Sequence, residues 1–421
     1  MVQRYQVLPP NAPVPALDDV LEAVARAGAQ RMLQRALEAE VDDFLRRERY
    51  QRTGEWRGYR NGYSPKRTIG VGMGGVDVRL PRVSDVPQEA APGGFHSAIV
   101  ERYQRRSKTQ ARLLCRLYLE GLASGDFEPV FRALVGATAA LSPNTILRLK
   151  DEWRQEYGAW KQRPLTERYV YMFADGLYLK AGLEHDKTAV LVVIGVREDG
   201  QKELLAMDQG YRESTASWVE VLRSLKERGL HAAPLLAVGD GGLGLWAALD
   251  QVFPETRHQR CWNHRTLNLL DKLPKRLWSD ARAAMHELYE APTRADCTRR
   301  RETYCAQLRT DGQEAAAACL ERDWEDFTTF YDFPQEHWLH LRTTNPIESV
   351  FDGVRLRTNA ARRMHVRDNA LYLVFKLAHR LSLNWRAIKA PNQLLLLLQG
   401  HRFVNGRIQL PDSSGKEDIA A

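Results

Sequence analysis

Apolar residues recur along this chain in two rhythms, and the change between them divides it. From Leu17 to Leu45, Leu17, Val20, Leu21, Val24, Leu33, Leu37, Val41 and Phe44 return at three- and four-residue steps, the spacing of one helical face. The stripe predicts one long amphipathic helix that packs on the protein's own core or on a second copy. Glycines at 54, 58, 62, 70, 72, 74 and 75 break up the next stretch, and Val76-Asp77-Val78-Arg79-Leu80 alternates as a strand does. Arg60-Asn61-Gly62-Tyr63 suits a turn that presents an arginine and an aromatic ring, and Pro81 to Gly94 has the composition of a linker. Residues 97–160 then read as three helices: one stopped by Gly121, one from Ser124 to near Gly136, and one opened by Ser142-Pro143. Short helices with glycine joints predict a helix-turn-helix whose last helix carries Arg148, Lys150 and Arg154 towards a DNA groove. A generic three-helix bundle fits the same pattern.

From Tyr169 the rhythm is that of strands. Tyr169 to Ala174 leads to Asp175-Gly176, Ala189 to Val196 is almost continuously apolar, and Glu203 to Met207 makes a third strand. A helix over Ser214 to Arg228 follows, then an apolar run that ends in Gly239-Asp240-Gly241-Gly242, a helix to about Val252, and a short strand near Thr256 to Arg260. This order predicts a mixed α/β sheet. Residues 265–340 read as helical and interrupt that sheet domain, and Thr343-Thr344-Asn345-Pro346-Ile347-Glu348-Ser349 opens a final helical region through Trp385.

Composition narrows the setting. Charged residues make up 27% and hydrophobic ones 44%, the balance of a globular chain, and no stretch approaches the roughly 20 apolar residues of a membrane span. The cysteines, Cys115, Cys261, Cys297, Cys305 and Cys319, are scattered and odd in number, which points to a reducing cytoplasm. The net charge of +8 is clustered in three basic segments, around Arg46 to Arg67, Arg102 to Arg116 and Arg355 to Arg367. Such clusters favour a polyanion, most simply nucleic acid, over a membrane surface.

Three carboxylates then stand out: Asp175 after the first strand, Asp240 after the fourth, and Glu348 on a helix. Each has a plain alternative. Asp175-Gly176 and Asp240-Gly241 are turn dipeptides, and Asn345 with Glu348 is a capping-box pattern. Together they suggest phosphoryl transfer, which uses two hard cations about 4 Å apart held by carboxylate oxygens. The cation expected is Mg²⁺ (or Mn²⁺), with Asp175 bridging and Asp240 and Glu348 each holding one ion. Arg355, Arg357, Arg362 and Arg363, on or just after the Glu348 helix, are candidates to clamp DNA phosphates, with a solvated helix face as the competing reading. Cys261-x-x-His264 is half of a zinc pattern, with His258 nearby, but a closed site wants four ligands and no partner pair is present.

These segments resemble the bacterial Mutator-type insertion-sequence transposases. The resemblance rests on Arg60-Asn61-Gly62-Tyr63, Asp175-Gly176-Leu177-Tyr178-Leu179-Lys180 and Gly239-Asp240-Gly241-Gly242-Leu243-Gly244-Leu245-Trp246. It also rests on Arg260-Cys261-Trp262-Asn263-His264, Leu273-Pro274-Lys275 and Thr343 to Ser349. It implies an RNase H-like catalytic core interrupted by an all-helical insertion and preceded by a mostly helical DNA-binding region. It further implies that Asp175, Asp240 and Glu348 form a catalytic, metal-holding triad, with His264 and Cys261 beside the scissile phosphate and Arg60, Asn61 and Tyr63 on DNA. The expected division is 1–95 (helix and basic segment), 96–165 (helix-turn-helix-like), 166–264 and 343–400 (core), 265–342 (insertion) and 401–421 (tail). The implied activity is binding of terminal inverted repeats of double-stranded DNA, cleavage, and joining of the 3′-hydroxyl to target DNA by a homodimer or larger synaptic multimer at the nucleoid. A catalytically silent DNA-binding protein and an RNase H-fold nuclease or resolvase are the alternatives.

Overall fold

The computed structural model describes residues 20–51, 54–72, 74–102, 104–119, 144–180, 187–210, 214–360 and 367–409. The chain divides into two compact units, Met1–Leu149 and Lys150–Ala421.

In the first unit, helix α1 (Val20–Leu45) is the expected long helix. Leu37 and the half-buried Leu33 pack with Ile69 of β2 (Arg67–Val71) and Val76 and Val78 of β3 (Gly74–Val78), two strands that form an antiparallel hairpin. The stripe is used only over its C-terminal half: Val24 stays 61% exposed, because the hairpin reaches no further. Two expectations are corrected here. Arg60-Asn61-Gly62-Tyr63 is not a free turn but part of strand β1 (Tyr59–Tyr63), bulged between Arg60 and Tyr63, where Gly62 takes φ +62°. Pro81 to Ser84, expected as linker, is strand β4 (Pro81–Ser84), antiparallel to β1. Helix α2 (Lys108–Leu119) matches the first helical piece; the second, Ser124 to Gly136, lies outside the described residues. Helix α3 (Asn144–Gln162) matches the third, and the division between the units falls within it.

The second unit is built on a mixed five-stranded sheet of order β7-β6-β5-β8-β9. Strands β5 (Tyr169–Lys180), β6 (Lys187–Arg197) and β7 (Lys202–Gly210) form an antiparallel meander. After helix α4 (Thr215–Glu227), capped by Ser214, β8 (Leu236–Gly239) enters parallel to β5. Helix α5 (Leu243–Val252) then leads to β9 (Arg257–Arg260), parallel to β8. Helices α4 and α5 cover one face through Trp218, Val221, Leu222, Leu245 and Leu249, which pack on Met172, Ala174, Leu191 and Val193. Ala189 to Ile194 of β6 are buried on both faces of the sheet, which is why β6 reads as a continuous apolar run rather than an alternating one. Helices α6 (Trp262–Leu270), α7 (Trp278–Tyr289), α8 (Arg294–Thr310), α9 (Glu314–Glu321), α10 (Trp324–Thr328) and α11 (Trp338–Leu341) follow as the predicted helical stretch. Helices α12 (Asn345–Ala360) and α13 (Arg367–Ser382) then return to the sheet, α12 against β5 and β6 and α13 against β7. Among the described residues no helix is long and apolar enough to cross a membrane.

Candidate active site

Strand register brings the first two carboxylates together. The parallel pairing of β5 with β8 ends at Ala174 opposite Gly239, so Asp175 and Asp240 are the next residues on neighbouring strands. Asp175 does not end its strand, as its Asp-Gly pair led us to expect. β5 runs on to Lys180, and Asp175 and Gly176 stay paired with Val192 and Leu191 of β6. Alternation along β5 puts Asp175 on the same side as Tyr171 and Phe173, opposite the side of Met172 and Ala174 that α4 and α5 cover. Asp175 is 6% exposed, and its Oδ1 accepts from Gly176 N at 2.8 Å.

Asp240 sits where β8 gives way to a glycine turn. Its Oδ1 accepts from Gly242 N at 2.8 Å, and Gly241 takes φ +96°, open to glycine and strained for any other residue. The turn reading of Asp240 is therefore correct as far as it goes, and the turn is held from outside. Arg260, at the end of β9, donates from Nη2 to Gly241 O at 2.8 Å and pairs with Asp323.

The third carboxylate arrives through two helix starts that lie side by side. Cys261 N donates to Gly239 O at 2.7 Å and Trp262 N donates to Arg342 O at 2.9 Å, so the entry to α6 is tied to the end of β8 and to the chain ahead of α12. Trp262 anchors this junction, fully buried, with its indole N–H on Phe327 O at 2.9 Å. Asn263 Nδ2 donates to Asn345 Oδ1 at 2.8 Å across the two helix starts. Asn345 is therefore engaged by α6, and it is Thr344, the residue before the helix, whose hydroxyl donates to Glu348 Oε1 at 3.1 Å. The same hydroxyl lies 3.4 Å from Cys261 Sγ, and the Thr344 N–H donates to that sulfur at 3.4 Å.

His264 closes the group. Its Nδ1 stands 3.9 Å from Glu348 Oε1, with no hydrogen-bond partner of its own. The Cys261 side chain, with further help from the Asp175 and Asp240 carboxylates, lifts the imidazole to about 9 against the opposing effect of burial. The raised value favours the protonated ring near neutral pH, and the two aspartate carboxylates act on it in the same direction as Cys261. The donor atoms of Cys261, His264 and Glu348 lie within 4.8 Å of one another. His258 is turned away, stacked on Trp246 and 3.3 Å from Asp250, and Cys297, Cys305 and Cys319 are buried in α8 and α9.

Similarity to known proteins now decides the family. The profile described as "Transposase, Mutator family" matches residues 12–388. The chain belongs to the Mutator family of transposases. It is 42% identical over 307 residues to the transposase for insertion sequence element IS6120 of Mycolicibacterium smegmatis, covering 71% of this chain and 92% of that one. The transposase for IST2 of Acidithiobacillus ferrooxidans is 42% identical over 276 residues, 65% of this chain and 93% of the relative. The transposase for ISRM5 of Rhizobium meliloti is 31% identical over 359 residues, 84% and 86% respectively.

The expected DNA-contacting residues of this Mutator-family chain fall in both units. In the first unit Arg60 pairs with Asp42 and Tyr63 Oη donates to Glu38 Oε1 at 3.0 Å, so both polar ends face α1, while Asn61 is exposed. Arg148 and Lys150 lie on α3 and Arg357 on α12, with side chains outside the described residues, as is Arg362 altogether. Arg355 is exposed and lies 3.3 Å from Asp352. Sequence reasoning passed over Thr344 and Arg260, which hold the site residues in place, and also Arg342. That arginine pairs with Glu290 at 2.6 Å among the rings of Phe330, Tyr289 and Trp338. Each has a partner distant in sequence, Cys261 for Thr344, Gly241 for Arg260 and Glu290 for Arg342, which no local pattern marks.

Proposed function

We propose that this chain is the transposase of an insertion sequence, which binds the terminal inverted repeats of its element, cuts there and joins the freed 3′-hydroxyl to a new phosphodiester. The observations that carry the reading are the adjacent strand positions of Asp175 and Asp240 and the gathering of Glu348, His264 and Cys261 donor atoms within 4.8 Å. The naming of the relatives as insertion-sequence transposases supports it. The meander, the parallel β8 and β9 and the returning helix α12 fit an RNase H-like core into which residues 265–342 are inserted. A set of carboxylate oxygens suits Mg²⁺, a hard cation. Asp175, Asp240 and Glu348 would hold the pair of ions, which when bound activate the attacking oxygen and stabilise the leaving one.

The chain's own groups do the remainder. In cleavage a water oxygen attacks phosphorus and the strand's 3′-oxygen leaves with a proton; in joining, that 3′-hydroxyl attacks the target phosphorus and one phosphodiester replaces another. The His264 imidazolium donates to a non-bridging phosphate oxygen, where negative charge grows in the transition state. Cys261, beneath it, keeps that imidazolium charged. Arg355, Arg357 and Arg362 supply phosphate contacts that set register rather than sequence.

The test is cleavage and joining of labelled element-end DNA with Mg²⁺. Asp240→Asn is expected to bind the ends and neither cut nor join, and His264→Ala to cut about 10²-fold more slowly. Normal cutting by Asp240→Asn overturns the triad. Binding without cutting by the wild-type chain leaves a catalytically silent DNA-binding protein as the better account.

A further inference from the structure

The N-terminal turn of α12 borders a cavity of about 280 Å³ that the reading above does not use. Pro346 and Ser349 of α12 form one wall, Lys202 of β7 and His340 of α11 another, and Trp385 and Arg386, just after α13, the rim. Among the described residues, three basic side chain types and no carboxylate line it. Lys202 Nζ donates to Arg386 O at 2.7 Å and so fastens the Trp385–Arg386 segment to the sheet. His340 Nε2 accepts from Lys389 N at 3.1 Å, which leaves its Nδ1–H as the donor. Trp385 is half-buried and Arg386 is exposed.

An aromatic ring beside cations, without acids, is the chemistry that stacks a base and holds its phosphate. The start of a 16-residue helix adds its positive end to the same wall. The volume lies near the roughly 300 Å³ lower end of ligand pockets, room for one base and not for a duplex. Asn345, one turn before Glu348 and hydrogen-bonded to Asn263, also lines the cavity, so an occupant lies within one helical turn of the proposed reaction centre. We propose that this cavity receives one nucleotide turned out of the DNA duplex next to the scissile bond, its base against Trp385 and its phosphate on Lys202 and Arg386. The inference rests on the proposal that the chain cuts DNA ends.

The test is equilibrium binding of the full chain, without divalent cations, to element-end duplexes that each carry one mismatch at successive positions. A mismatched base costs less to turn out. One position beside the cleavage site is expected to bind about five- to tenfold tighter than the matched duplex, by the unpairing cost that the mismatch removes. Trp385→Ala should bind matched and mismatched ends alike. Arg386→Glu, changed at an exposed position and therefore safe for folding, should lose the preference as well. Absence of any favoured position, or a preference that survives both substitutions, overturns the proposal. If matched ends are bound and cut without a mismatch preference, only this inference falls; if the ends are not bound, both fall.

Discussion

Thr344 holds two reactive side chains with one small group. Its hydroxyl faces two acceptors, Glu348 Oε1 at 3.1 Å and Cys261 Sγ at 3.4 Å, and its single proton serves one of them at a time. Glu348 is thereby held in one orientation, as hydrogen-bonded partners generally hold a functional carboxylate. Thr344→Val keeps the shape and removes the hydroxyl. It is expected to lower cleavage about 10- to 100-fold while changing stability by about 1 kcal/mol at most, as checked by end-cleavage rates and thermal melting. At this scale the residues that drew notice fall into two groups, Asp175 and Asp240 at neighbouring strand positions and Cys261, His264 and Glu348 within 4.8 Å of one another. Thr344 drew none, because a threonine before a helix reads only as a cap.

Between elements, the turn from β8 to α5 decides where Asp240 points. Arg260 fills the space above Gly241, where a Cβ would come 2.1 Å from its Nη2, and the backbone there is already left-handed. Gly241→Ala must therefore strain the backbone and displace Arg260 from Gly241 O. A stability loss of about 1–3 kcal/mol is expected, with a larger fractional loss of cleavage than of end binding. Chemical denaturation and DNA binding by the same variant check it. The misread elements share one cause. Asp175-Gly176 has turn chemistry, yet pairing with β6 carries it straight through, and Pro81 becomes a strand residue because β1 supplies a partner. Local turn signals were overruled by cross-strand partners that lie far along the chain.

For the second unit, two histidines link stability to pH. His337 is fully buried between Tyr171 Oη, 2.8 Å from its Nδ1, and Ala390 O, which accepts from Nε2 at 3.2 Å. Burial holds it below its ordinary value, and burial with nearby Lys202 pushes His340 down to about 4. Both are lower in the folded than in the unfolded chain, where a histidine titrates near 6.5. The unfolded state thus takes up more protons between those values, so the stabilisation is present above about pH 6.5 and is lost as the pH falls towards 4. Thermal midpoints followed from pH 7 to 4 should drop, and His340→Gln should flatten the drop. A midpoint that is constant over this range contradicts the assignment.

The sequence by itself determined the long helices, the mixed sheet and the helical stretch after β9, because each is written in local periodicity. Only the tertiary structure decided the rest. The register of β5 against β8 puts Asp175 beside Asp240, since a slip of one residue would send the carboxylate to the opposite face. The junction of α6 with α12 brings His264 and Cys261 to Glu348 across more than eighty residues of chain. Arg60 and Tyr63 read as free to meet DNA until Asp42 and Glu38 of α1 are seen to face them. Spacing along a chain specifies a face of a helix or strand, but which face meets which is settled by the packing of surfaces that are remote in sequence.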